Sequence, residues 1–182
     1  MKKTIVTFGL ISGIISSVLM CSTLRFLSDL NHGEKALVIG YTTIVLSFLL
    51  VYFGIRSYRD NLAGGAITFG RGFGIGICIT LISCVFYVVT WEILYFNFMH
   101  GFMDSYFTAL IQKAQSAPGT PEAIQAKVAA IRQSQQLYDN PLVNSLYTFI
   151  EPFPVGVVIT LISAAILRKK PQTSSGSMAA TA

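Results

Sequence analysis

The sequence predicts an all-α integral membrane protein: a four-helix bundle with an extramembrane helical hairpin between its third and fourth helices. Three observations carry this prediction. Of 182 residues, 53% are apolar, against roughly 45–50% in an ordinary soluble domain. Only 12% are charged and the mean hydropathy is +0.62, whereas about 25% charged residues is usual. The apolar residues also gather into four runs, most of them matching the roughly 20 residues that a helix needs to cross a bilayer. This composition excludes a soluble globular domain, a disordered chain and a disulfide-rich secreted one.

The first run, 4–24, holds 21 residues and no charge. It follows Met1-Lys2-Lys3 as the core of a signal peptide would, but such cores are roughly 7–15 residues long and end at a small-residue cleavage site, which is missing here. Lipoprotein processing at Cys21 would want a small residue where Met20 stands. The run is therefore expected to be a retained first helix. The second run, 36–55, holds 20 uncharged residues. The polar stretch Arg56-Ser57-Tyr58-Arg59-Asp60-Asn61 follows, and Gly64-Gly65 breaks the chain. The third run, 72–99, is 28 residues long and carries one charge, Glu92. It exceeds the bilayer requirement, so its helix tilts or projects.

Residues 100–140 are polar and rich in Ala and Gln. Phe107, Leu110, Ile111 and Ala114 recur at helical spacing. Ala117-Pro118-Gly119 then divides the stretch. Thr120-Pro121-Glu122 reads as an N-cap, a first-turn proline and an acidic first turn, and Ile124, Val128, Ile131 and Leu137 continue a near-helical pattern. Two helices outside the hydrocarbon are expected. Asn140-Pro141 opens the last run, 142–167, which Glu151-Pro152-Phe153-Pro154 interrupts. Two prolines remove two backbone donors and kink or break a helix. The uninterrupted 155–167 covers only about 20 Å, so the turns before the prolines must help to complete the span. The Ser/Thr/Ala-rich segment 171–182 reads as a disordered cytoplasmic tail.

Four spans put both termini on one side. That side carries Lys2, Lys3, Arg56, Arg59, Arg71, Arg168, Lys169 and Lys170 against the single acid Asp60, whereas the other side mixes five basic residues with seven acids. By the positive-inside rule both termini are cytoplasmic and the 100–140 hairpin lies outside. The net charge of +5 thus orients the chain in a bilayer and does not point to nucleic acid.

Gly54-Ile55-Arg56-Ser57-Tyr58-Arg59-Asp60, Gly64-Gly65-Ala66-Ile67-Thr68-Phe69-Gly70-Arg71 and Glu151-Pro152-Phe153-Pro154-Val155-Gly156 resemble one family of small bacterial four-span membrane proteins, catalogued as a domain of unknown function. The resemblance covers roughly residues 1–170 and is most specific at 54–71. It implies a bacterial inner-membrane protein, and it brings no activity and no catalytic residues with it.

Candidate chemistry is sparse. Gly70, Gly72, Gly74 and Gly76 follow no strand and precede no GK[ST], so they fit small-xxx-small helix packing and not a phosphate loop; Gly9/Gly13 and Ser12/Ser16 fit it too. Ile-Thr-Leu-Ile-Ser occurs at 79–83 and again at 159–163, each copy three residues after a glycine. These spans are antiparallel, so the copies can face one another and Thr80, Ser83, Thr160 and Ser163 can bond across. An inverted duplication and the low complexity of membrane segments both account for the repeat. Cys21, Cys78 and Cys84 read as small apolar residues with no CxxC pair. His100 and Asp104 stand at i,i+4, but two ligands make no metal site.

Arg25, Glu92 and Glu151 all fall about 25–33 Å from the cytoplasmic rim and form the candidate outer-rim polar cluster, with Arg25 expected to pair Glu151 or the carbonyls that the prolines free. Trp91, Tyr95, Phe96, Phe98, Tyr106 and Tyr147 gather at the same level as an interfacial belt. No catalytic residue, cofactor or metal ligand is assigned. The expected function is a non-enzymatic structural or accessory component of an inner-membrane complex, with the lipid bilayer and other membrane-protein subunits as its partners. The alternative is a small transporter or channel with Glu92 and Glu151 at its outer mouth.

Overall fold

The structure, a computed structural model, describes residues 1–27 and 34–169, with the side chains at 24–27, 34–37, 100, 102 and 103 excepted. The expected tail at 171–182 lies outside the described residues, as does the Arg25 side chain. Among the described residues the chain forms α1 (Lys2–Leu27), α2 (Glu34–Asn61), α3 (Phe69–Phe98), α4 (His100–Gln115), α5 (Pro121–Tyr138), α6 (Pro141–Ile150) and α7 (Pro152–Leu167). Four stretches are long and apolar enough to cross a membrane: Lys2–Thr23, Val38–Asn61, Phe69–Phe98 and Pro141–Leu167. Hydrocarbon offers backbone groups no partners, so such runs must satisfy their own as helices.

Several boundaries differ from those read off the apolar runs. Helix α2 passes through the polar segment 56–61 instead of ending at Ile55. An Arg56–Asp60 pair at i,i+4 (3.5 Å) and an Asn61-to-Ser57 side-chain bond (3.2 Å) support its last turns. It stops where Gly64 and Gly65 adopt φ of 62° and 81°, a region that costs glycine nothing, and Gly65 N–H donates back to the Arg59 carbonyl at 2.9 Å. Only 62–68 is left as connector. Its end is clamped: Ile67 and Lys169 exchange both backbone hydrogen bonds, at 3.0 and 2.9 Å. Thr68 then caps α3, accepting from Arg71 N–H.

The broken fourth span takes a specific form. Asn140 caps α6, its side chain accepting from Leu142 and Val143 N–H, with Pro141 in the first turn. At Glu151 the backbone stays in the right-handed helical region (φ −65°, ψ −59°), so α6 and α7 are one bent helix and not two separated ones. Thr120, Pro121 and Glu122 start α5 with the Thr120 side chain accepting from Ala123 N–H. Helices α4 and α5 pair as a hairpin along Phe107, Leu110, Ile111 and Ala114 on one side and Ile124, Val128, Ile131 and Tyr138 on the other, which are the buried or half-buried positions. Leu137 instead points outward, 44% exposed; the 3.6-residue period carries the stripe to Tyr138.

In the bundle α1 packs on α2 and α3, and α7 packs on α2 and α3 from the other side. The core is Ile44, Phe48, Val51 and Ile55 of α2 with Ile75, Ile79 and Cys84 of α3 and Leu167 of α7. Small residues set the close approaches. A Cβ on Gly9 would come within 2.9 Å of Ile82, and one on Gly13 within 2.6 Å of Phe86, so α1 lies directly against α3. Between α3 and α7 the fit is reciprocal: a Cβ on Gly76 would come within 2.6 Å of Thr160 Cγ2, and one on Gly156 would overlap Thr80 Cγ2. Each glycine receives the threonine that lies four residues beyond the other. Between them Thr80 Oγ1 and Thr160 Oγ1 are 3.1 Å apart and fully buried. The repeated Ile-Thr-Leu-Ile-Ser strings thus meet through their threonines, while Ser83 donates to the Ile79 carbonyl of its own helix. Gly70 and Gly74 have nothing within 4 Å and take no part in packing.

Candidate functional site

The polar side chains concentrate where α3 meets α6 and the base of the hairpin. Tyr87, Trp91 and Tyr95 follow one another at i,i+4 on α3, so they share one face. That face looks onto the first turns of α6, which Asn140 and Pro141 start at this level.

Asn144 organises the region. It is fully buried. Its Nδ2 donates to the Tyr138 carbonyl at 3.1 Å, and its Oδ1 accepts from Trp91 Nε1 at 2.9 Å and from Thr148 Oγ1 at 3.2 Å. One amide therefore joins α3, α5 and α6. Tyr95, 5% exposed, donates its hydroxyl to Asp139 Oδ1 at 2.7 Å, at the hinge between α5 and α6. Its ring stands edge-on to Tyr138, which in turn meets Phe107 of α4 edge-on. Burial raises the Tyr138 phenol above its ordinary value. Through these contacts the hairpin is seated on the bundle by buried aromatic rings and an amide.

The two expected rim carboxylates are both at this end, and each has its own donor. Half-buried Glu92 accepts from Ser145 Oγ at 2.9 Å, again linking α3 to α6. Glu151, at the bend, is exposed and accepts from the Tyr87 hydroxyl at 3.2 Å. The third member of the candidate cluster, Arg25, has its side chain outside the described residues, and so does His100. Among the described residues no three His, Cys, Asp or Glu side chains converge.

Reading the aromatics as a plain interfacial belt misses a division among them. Tyr147 and Phe98 do face outward, 56% and 76% exposed. Trp91 and Tyr95 turn inward and spend their polar atoms on Asn144 and Asp139. Neither acceptor stands out in the sequence, although an asparagine inside an apolar run, four residues before a threonine, is the trace that Asn144 leaves.

Four apolar helices of spanning length, packed into one bundle, define a multi-pass helical membrane protein. The family described as Protein of unknown function (DUF4199) matches residues 7–169. The chain belongs to that family. No curated protein and no solved structure matches it significantly.

Proposed function

We propose that the protein is a non-enzymatic component of a bacterial inner-membrane complex, with both termini cytoplasmic and the α4–α5 hairpin outside as its contact element. The observation that carries this reading is the contrast between mount and surface at the hairpin. Its base is held by Asn144, Tyr95 and Tyr138, yet α5 buries none of its 18 residues fully. An exposed helix on a rigid mount loses little conformational entropy when a partner covers it. The Ala- and Gln-rich outward side, with Ala126, Ala129 and Ala130 exposed, lets another backbone come close. A photo-reactive residue at position 126 or 130 should give one discrete cross-linked species in membranes, and the purified protein should keep a stable partner in mild detergent. A strictly monomeric protein with no such species overturns the proposal.

The orientation rests on the basic residues at the 62–68 end. In a cysteine-free background, Pro118→Cys should react with a membrane-impermeant reagent from outside and Leu62→Cys only from inside. The opposite pattern overturns the topology. One observation favours transport as the second reading: the fourth span bends at Glu151, and broken helices build many transporter sites. Against it stands the interlocked Gly76/Thr160 and Gly156/Thr80 contact, which fills the space between α3 and α7. Substrate-dependent uptake or efflux by the reconstituted protein that is lost in Glu151→Gln would establish the second reading over the first.

A further inference from the structure

The end of the bundle opposite the hairpin holds a polar hollow of about 480 Å³, lined among others by Tyr58, Gly64, Gly65, Thr68, Arg71 and Lys169. Its walls have fixed places. Lys169 is anchored by the two backbone bonds to Ile67, and Ile67 and Tyr58 are themselves buried. Arg71 stands in the first turn of α3 behind the Thr68 cap. The two glycines leave the mouth clear, since a Cβ on either would meet nothing within 4 Å.

Among the described residues the charge here is uncompensated. Asp60, the acid in the last turns of α2, is already engaged by Arg59 at 2.6 Å and Arg56 at 3.5 Å. Among the described residues neither Arg71 nor Lys169 forms an ion pair, although both line the same hollow. Two cations carried on held backbone around one polar hollow favour an anion, and the guanidinium fork and ammonium suit phosphate oxygens.

The surroundings indicate where that phosphate comes from. The hollow lies at the level where α2 and α7 end and α3 begins, which is the headgroup level of a bilayer crossed by these helices. Beside it Leu62 and Phe69 are exposed at 59% and 40%, as acyl-chain contacts would require and a water-borne phosphate would not. We propose that this hollow binds the phosphate of an anionic phospholipid headgroup between Arg71 and Lys169. The site is independent of whether the hairpin has a partner.

The full chain in neutral detergent, titrated with phosphatidylglycerol, phosphatidylcholine or inorganic phosphate, tests this by native mass spectrometry and by thermal denaturation. Phosphatidylglycerol should bind and raise the melting temperature more than either of the others. Arg71→Gln with Lys169→Gln should weaken it about 100-fold, the loss of two charge-assisted hydrogen bonds to the phosphate. Lys2→Gln with Lys3→Gln removes the same charge from the same end but not from the lining of the hollow, and with exposed charges screened by salt it should leave binding within about twofold. Arg71→Lys with Lys169→Arg should restore binding. Both target side chains are exposed, so the lipid-free melting temperature should not move; if the double variant fails to fold, the two single variants should each show part of the loss. Equal weakening by the two double-charge removals would overturn the site in favour of diffuse surface attraction. Stabilisation by inorganic phosphate equal to that by phosphatidylglycerol would overturn the lipid assignment.

Discussion

Helix α3 is held in two different ways along its length. In the middle of the bundle it meets α7 through shape: Gly76 takes in Thr160, and Gly156 takes in Thr80. Toward the hairpin it meets α6 through hydrogen bonds, from Trp91 to Asn144 and from Ser145 to Glu92. Lipid tails are as apolar as leucine, so burial alone does not drive helices together in a membrane, and small residues and dispersion must supply what water supplies elsewhere. Near the headgroups polar side chains cost less to place, and a network becomes the better fastener. The middle should therefore resist loss of polarity and fail on added volume, while the hairpin end should do the reverse.

Added volume in the middle gives the largest expected effect. Gly156→Leu forces the side chain into Thr80 and Phe48 and should cost roughly 3 kcal/mol, the top of the usual range for overpacking. Thermal denaturation in detergent should show a large fall or no folded protein. Gly74→Ala, on α3 with nothing within 4 Å, should be neutral or stabilise by up to about 1 kcal/mol through the helix backbone. Equal tolerance at both positions would break the comparison. Next in size is Asn144→Leu, which leaves the Trp91 N–H and the Tyr138 carbonyl without their partner and should cost about 1–3 kcal/mol. Trp91 is the one tryptophan of the chain, so its emission should shift with the loss. An unchanged spectrum and melting temperature would mean that Asn144 does not organise this end.

Removing polarity from the middle should matter less. Thr80→Val and Thr160→Val keep the methyl groups that fill the glycine notches and delete one buried hydrogen bond, worth about 0.6 kcal/mol in a membrane. The double variant should cost clearly less than the sum of the singles. Full additivity would show that the hydroxyls do not bond each other.

Which features were legible in the sequence follows from the same division. The helices, the capped start of α5 and the proline bend are local, since they depend on runs, caps and missing donors that a chain displays in order. The threonine contact between the repeated strings was legible because antiparallel spans bring equal depths together. The choice between Gly70/Gly74 and Gly72/Gly76 was not, because both pairs have the same spacing and only the position of α7 decides which one packs. The continuation of α2 through residues 56–61 was hidden because the apolar run stops at Ile55 while helical pairing does not. Asn144 and Asp139 were missed for a third reason: α6 turns polar Asn144 and Thr148 inward and apolar Leu142, Leu146 and Ile150 outward, the reverse of the pattern that marks a core face in a soluble helix.

The smallest effect expected at neutral pH concerns the ring at the centre of the hairpin mount. Burial raises the Tyr138 phenol above its ordinary value, so the folded chain holds it neutral at pH values where an unfolded chain ionises it. Below about pH 10, the ordinary tyrosine value, both states carry a neutral phenol and its contribution to stability is complete. As pH rises through and beyond that value the unfolded state loses its proton first, and the contribution declines. Tyr138→Phe retains the ring packed against Tyr95 and Phe107 and the backbone carbonyl that accepts from Asn144, so at neutral pH it should change the melting temperature little. The stability of the parent chain relative to this variant should stay level to about pH 9 and then fall as pH rises above about 10. A difference that stays constant across that range would place the phenol in open solvent and would separate the hairpin from the buried mount that the comparison assigns to it.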